Sequence, residues 1–145
     1  MKIINKLALV DTCILIDILD SQSIYFNWSC DTLNQCRHEG SVLYYNLAIL
    51  AELSTNFVNL ADLIDFFDYN NIKKMELTEQ IMFDAGVAFR KYKGNGGKKH
   101  TVLADFVIGA TAKNNDMVLI TRDKGNFKTY FPEVPLLQPS VGNPL

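Results

Sequence analysis

The sequence predicts an α/β fold: three layers, α/β/α, around a central, mainly parallel sheet of four to five strands. Runs that are apolar throughout, LALV at 7–10, VLYY at 42–45 and MVLI at 117–120, read as strands covered on both faces, because a strand with one wet face alternates apolar with polar residues. Segments with apolar residues at helical spacing separate these runs, which is the pattern of crossovers between parallel strands. With 145 residues and 48% hydrophobic content, and without an internal repeat or a linker, residues 1–145 read as one domain.

The first strand ends at Asp11, and Ile14, Leu15, Ile18 and Leu19 follow at helical spacing. Tyr25, Phe26, Trp28 and Leu33 lie in a more polar helix within 21–40, closed by Gly40. After the strand at 42–45, Asn46 caps a helix that carries Glu52 among Leu47, Ile49, Leu50, Leu53 and Phe57. A helix over 60–70 sets Leu63, Ile64, Phe66 and Phe67 against Asp62, Asp65 and Asp68, so those aspartates read as a solvated face. A third strand spans 72–77, and Thr78 then caps a helix through Ile81, Ala85, Ala88 and Phe89 to Tyr92. GNGG at 94–97 reads as a loop, since glycine loses the most backbone entropy on ordering. Another helix runs from Thr101 through Ala112, the strand at 117–120 follows, and a loop carries Asp123 to Phe127. A last short strand at 134–137 lies among Pro132, Pro135 and Pro139.

Composition narrows the function classes. A net charge of −2 provides no global attraction to nucleic acid, so any such contact must be local. Cys13, Cys30 and Cys36 are odd in number and lack CxxC spacing, which points to reduced thiols. His38 and His100 are the only histidines, and no ligand set has zinc-finger spacing. The first apolar run is too short for a signal segment or a membrane span, so the cytoplasm is the expected compartment.

Four acidic residues stand apart: Asp11, Glu52, Asp105 and Asp123. In a parallel sheet with returning helices, strand ends and helix starts share one edge, and ligands bind there. Asp11 closes its strand, Asp123 lies three residues past Ile120, and Asp105 is near a helix start, where the macrodipole favours an anion. Glu52 lies about six residues into its helix, roughly 9 Å along the axis, and helical side chains lean back toward that edge. Singly, Asp11 reads as a helix cap, Glu52 as the margin of an apolar face, Asp105 as a cap-region charge and Asp123 as a turn residue. Together they form a cluster that cannot stay ionised without a counter-charge. Hard dications suit oxygen ligands, so the reading is one or two Mg²⁺ or Mn²⁺ ions and phosphodiester chemistry.

Thr12 and Thr121 are hydroxyls placed to orient a ligand water. Arg90, Lys91, Lys93, Lys98, Lys99 and His100 surround the GNGG loop and form a local phosphate-attracting patch, with Arg122 as a further clamp. The stretch is not a Walker A loop: its first glycine would fall at Tyr92, and no Ser or Thr stands at 99.

DTCILID at 11–17, AELS at 51–54, ADFVIGATA at 104–112 and LITRDKGNF at 119–127, in that order, resemble the PIN domain family, and most closely its VapC-type toxins of toxin–antitoxin pairs. The resemblance covers essentially the whole chain. It implies that Asp11, Glu52, Asp105 and Asp123 bind Mg²⁺ or Mn²⁺ and cut single-stranded or structured RNA, leaving a 5′-phosphate and a 3′-hydroxyl. It also implies a homodimer and a cognate antitoxin that docks near this edge and places a cation in the site, with segments 21–40 and 57–70 as candidate faces. Two positions depart from the pattern. Asp123 and Asn126 stand in reversed order relative to many such toxins, so either completes the site. Cys13 occupies a place where a small polar residue is usual, which bears on the hydrogen bonds around Asp11.

A phosphatase of the haloacid dehalogenase type would need a second aspartate two residues after Asp11, where Cys13 stands. The alternative outside enzymes is a non-catalytic PIN-like binding or assembly module, against which all four positions remain acidic.

Overall fold

The computed structural model describes residues 6–100, 102–123 and 125–140. Five strands, β1 (Leu7–Val10), β2 (Val42–Tyr45), β3 (Ile72–Lys74), β4 (Val118–Ile120) and β5 (Leu136–Leu137), form one sheet in the order β3-β2-β1-β4-β5. Every neighbouring pair is parallel, with Leu9 of β1 opposite Tyr44 of β2 on one side and Leu119 of β4 on the other. Ala8, Leu9 and Val10 are fully buried, as are Leu119 and Ile120. Successive strand residues point to opposite faces, so this burial requires cover on both sides of the sheet.

The cover is α1 (Thr12–Leu19), α2 (Phe26–His38), α3 (Leu47–Leu53), α4 (Leu60–Tyr69), α5 (Glu79–Gly94), α6 (Leu103–Asn114) and α7 (Asn126–Tyr130). Asn46, Asn59 and Thr78 cap α3, α4 and α5 with side-chain oxygens that accept from backbone N–H groups inside the first turn. Gly40, at φ 82°, closes α2, and the Ser41 N–H reaches back to Cys36 O at 2.9 Å. On α4, Leu63 and Phe67 are buried while Asp62, Asp65 and Asp68 are exposed, as the periodicity predicts. Phe67 stacks on Tyr45 with ring centroids 3.6 Å apart, which holds α4 to β2. Cys13, Cys30 and Cys36 are free thiols. Among the described residues, no single helix is long and apolar enough to cross a membrane.

The differences from the predicted boundaries have local causes. β3 stops at Lys74, short of 77, because Lys73 and Lys74 are exposed on an edge strand. α3 ends at Leu53 and tightens into a 3-10 turn at Ser54–Asn56, leaving Phe57 outside the helix with extended backbone. α5 continues through Gly94, and the chain turns left-handed only at Gly96, φ 87°. α6 begins at Leu103, and Thr101 lies outside the described residues. The loop predicted over 123–127 becomes helical from Asn126, where α7 buries Phe127. β5 is limited to two residues preceded by Pro135, whose carbonyl accepts from Leu119 N but which has no N–H to extend the ladder.

Candidate metal centre

The strand order reverses between β1 and β4: from β1 the chain proceeds outward to β2 and β3, then returns to the other side of β1. A reversal of this kind leaves a crevice at the carboxyl ends of the two strands, where ligands bind. Asp11 follows β1 directly, and its N–H bonds Ile120 O of β4 at 2.9 Å. A cavity of about 370 Å³ opens there, lined by Asp11, Thr12, Cys13, Ile16, Glu52, Asp105, Arg122 and Asp123. All four acidic residues singled out in the sequence line this one cavity.

Asp11 is 6% exposed and closely held. Its Oδ1 accepts from Thr12 N at 2.8 Å, so it caps α1, while Oδ2 accepts from Thr121 Oγ1 at 2.6 Å and from Cys13 Sγ at 3.4 Å. An ionised carboxylate accepts about four hydrogen bonds, so capacity remains for a further partner. Burial raises the Asp11 pKa, the hydrogen bonds from Thr121, Thr12 and Cys13 oppose the rise, and the Glu52 charge adds to it. Burial, together with the Asp11 charge, also pushes the Cys13 thiol up to about 12, which leaves it a donor to Asp11.

Glu52 is exposed on α3, and its Oε1 accepts from Thr12 Oγ1 at 2.7 Å. Asp105, in the first turn of α6, has the most informative environment. Its pKa rises to about 7, first through burial and then through the charges of Asp11, Glu52 and Asp123, while a side-chain hydrogen bond with Asn126 works the other way. Asn126 thus reaches the centre from α7. Asp123 stands after β4, its N–H on Thr121 Oγ1 at 2.9 Å and its Oδ2 accepting from Phe127 N at 3.4 Å.

The donor set is oxygen throughout apart from Cys13, and the mutual pKa effects show carboxylates close enough to resist joint ionisation. Among the described residues, no three Asp, Glu, His or Cys side chains stand close enough together to hold a metal ion as they are placed. The carboxylate-rich lining suits a hard, partly hydrated dication such as Mg²⁺, which keeps several waters and takes only one or two carboxylates.

The predicted cations lie elsewhere. Arg90, Lys91 and Lys93 occupy the end of α5, and Lys98 and Lys99 the connection toward α6, all exposed and none lining the cavity. Tyr92 organises this connection: its hydroxyl accepts from Lys99 N at 3.2 Å, and its ring lies so close to Gly97 that a side chain there would collide with it. Arg122 does line the cavity, but its guanidinium bonds Asp17 at 2.8 and 3.0 Å and lies 4.2 Å over the Tyr25 ring. Asp17, the last residue of DTCILID, is a buried carboxylate to which the reading of the sequence assigns no role. Its one signal in the sequence is a carboxylate between Ile16 and Ile18 in an otherwise apolar helix.

The PIN domain family matches residues 8–131. No curated protein sequence matches the chain significantly. Among solved structures, a chain of VapBC2 from Rickettsia felis bound to a DNA fragment from their promoter superposes with a TM-score of 0.70 at 14% identity, covering 92% of this chain and 99% of that one. A chain of VapBC-1 from nontypeable Haemophilus influenzae has a TM-score of 0.67 at 17% identity, with 91% and 97% covered. A chain of FitAcB from Neisseria gonorrhoeae has a TM-score of 0.61 at 20% identity, with 90% and 96% covered. At these identities the structural matches establish a shared fold, and the family match extends from the middle of β1 through Phe131, just past α7. With its all-parallel β3-β2-β1-β4-β5 sheet and its acidic cavity where the strand order reverses, the chain belongs to the PIN domain family.

Proposed function

We propose that the protein is a Mg²⁺- or Mn²⁺-dependent endoribonuclease that hydrolyses RNA phosphodiester bonds, acting as the toxin of a toxin–antitoxin pair of the VapBC kind. The supporting observation is one cavity lined by Asp11, Glu52, Asp105 and Asp123 whose lining cation, Arg122, is already engaged with Asp17. The four carboxylates of this lining outnumber its one cation. When bound, one or two dications would supply positive charge, Lewis acidity toward phosphoryl oxygens and a more acidic water.

The chain's own groups divide the remaining work. Asp11 and Asp105, with Glu52 and Asp123, would hold the metal, and Asn126 steadies Asp105. Thr121 and Thr12 donate to Asp11 and Glu52, which limits the rotation of both carboxylates. Asp105 has to lose a proton before it can ligate, and its pKa of about 7 places that step near neutral pH. The exposed cations at the end of α5 and in the connection to α6 would attract an RNA backbone toward the Asp105 helix. A second cavity, of about 290 Å³ and lined by Ile18, Leu33, Phe66 and Tyr69 among others, lies between α2 and α4, the segments read as an antitoxin or homodimer face.

The test combines calorimetric titration of the metal-free protein with Mn²⁺ and RNA cleavage assays. Wild type binds Mn²⁺ and cuts RNA, and Asp105→Asn cuts at least ~100-fold more slowly, the upper range for disturbing a metal's supporting contacts. Asp65→Asn, on the solvated face of α4, leaves both properties unchanged. A folded Asp105→Asn protein with wild-type cleavage would refute the assignment.

A further inference from the structure

Asp17 is buried on α1, 2% exposed, and does not line the acidic cavity. Its Oδ2 accepts from Ser29 Oγ at 2.7 Å and from Arg122 Nε at 2.8 Å, and its Oδ1 accepts from Ser23 Oγ and Arg122 Nη2, each at 3.0 Å. One carboxylate therefore joins α1, the turn that leads into α2, α2 itself and the segment after β4. Burial alone would lower the Arg122 pKa, but the hydrogen bonds it donates to Asp17, together with the negative charge around it, outweigh burial and the guanidinium is held charged. The fork-on-carboxylate geometry fixes direction as well as distance.

Arg122 stands between two residues of the candidate centre. Thr121 donates to Asp11 Oδ2 at 2.6 Å, and Asp123 lines the cavity wall. The described residues from 121 to 125 adopt neither helix nor strand; Thr121 is still tied to the sheet, its N–H donating to Leu137 O of β5 at 3.1 Å, but the ladder ends there. Past Thr121, side chains anchor Arg122 and Asp123: Arg122 on Asp17 and Tyr25, Arg122 N on Cys13 Sγ at 3.4 Å, and Gln138 on the Asp123 carbonyl. The Asp17–Arg122 pair is the charged one among them.

We infer that Asp17 is a positioning residue of the centre: acting through Arg122, it sets where the segment after β4 places the Thr121 hydroxyl and the Asp123 carboxylate. This rests on the proposed reading of the cavity as a metal centre. A purely structural Asp17 would tie α1 to α2 and leave the cavity unaffected.

Two measurements on the metal-free protein separate the roles: Mn²⁺ affinity by calorimetry, and exchange of the Asp123 amide by NMR. Asp17→Asn weakens Mn²⁺ binding by ~10- to 100-fold and speeds Asp123 amide exchange, whereas Ser29→Ala, which removes a bond to the same carboxylate without touching Arg122, lowers Tm and leaves both readouts unchanged. Arg122→Gln reproduces Asp17→Asn, and the double variant binds Mn²⁺ no more weakly than either single one, as for residues that act in series. Arg122→Lys, which keeps the charge but loses the fork, falls between. If Asp17→Asn does not fold, Arg122→Gln carries the comparison. Wild-type affinity in the folded variant overturns this inference alone. Absence of Mn²⁺ binding by wild type overturns the metal reading and this inference with it.

Discussion

Asp105 shows at the scale of one residue how gathered carboxylates strain a fold. A carboxylate whose folded pKa is raised to about 7 holds a proton that the unfolded chain releases near the ordinary value of 3.8. Its contribution to stability is therefore fully present below the unfolded pKa and is lost as pH rises through 7. Above pH 7, metal-free protein carries first the cost of burying the Asp105 charge and then its repulsion from Asp11, Glu52 and Asp123. Asp105→Asn removes both. In EDTA at pH 8 the variant melts at least ~2 °C above wild type, the shift that roughly 1 kcal/mol produces in a domain of this size, after discounting for the group's partial solvent contact. Thermal scans at pH 5 and pH 8 check it, since the difference shrinks toward pH 5. With saturating Mn²⁺ the order reverses, because under the proposed function the variant lacks a ligand.

At the scale of elements, the centre depends on how helices meet strand ends. Asn46, fully buried, accepts from Ile49 N at 2.9 Å to cap α3 and donates from Nδ2 to Thr111 Oγ1 of α6 at 2.9 Å. One side chain therefore couples the helix of Glu52 to the helix of Asp105. Asn46→Ala costs about 2 kcal/mol, ~1 for the cap and ~1 for the lost buried hydrogen bond, read as a lower urea midpoint at unchanged m-value. Asn46→Ser, which keeps a capping oxygen, recovers part of the loss. A similar constraint joins α6 to the chain after α7: a Cβ at Gly109 would lie 2.4 Å from the Phe131 ring, so Gly109→Ala destabilises by about 1–3 kcal/mol through overpacking in the same titration. The cap role of Asn46 is legible in the sequence, because asparagine follows an apolar strand and precedes an apolar helix. Its partner Thr111 is 65 residues away, and no local rule points to it.

For the whole molecule, the parallel sheet collects residues from four distant stretches at one edge, and a dication that binds only the folded arrangement stabilises it by mass action. Mn²⁺ at 100 times its Kd raises stability by ~2.7 kcal/mol, so Tm climbs with Mn²⁺ concentration and falls back when EDTA is added. A melting temperature indifferent to Mn²⁺ would count against the centre. The sequence by itself determined the parallel α/β class, the four acidic positions and the solvated aspartates of α4, because burial periodicity and strand-end placement are local patterns. Only the tertiary structure decided that Arg122 forks onto Asp17, that Thr12 serves Glu52 and Thr121 serves Asp11, and that α5 runs on into Gly94. These are pairings between groups far apart in the chain, or choices made by packing over weak local preference. A hydrogen bond across 105 residues leaves no periodicity to read.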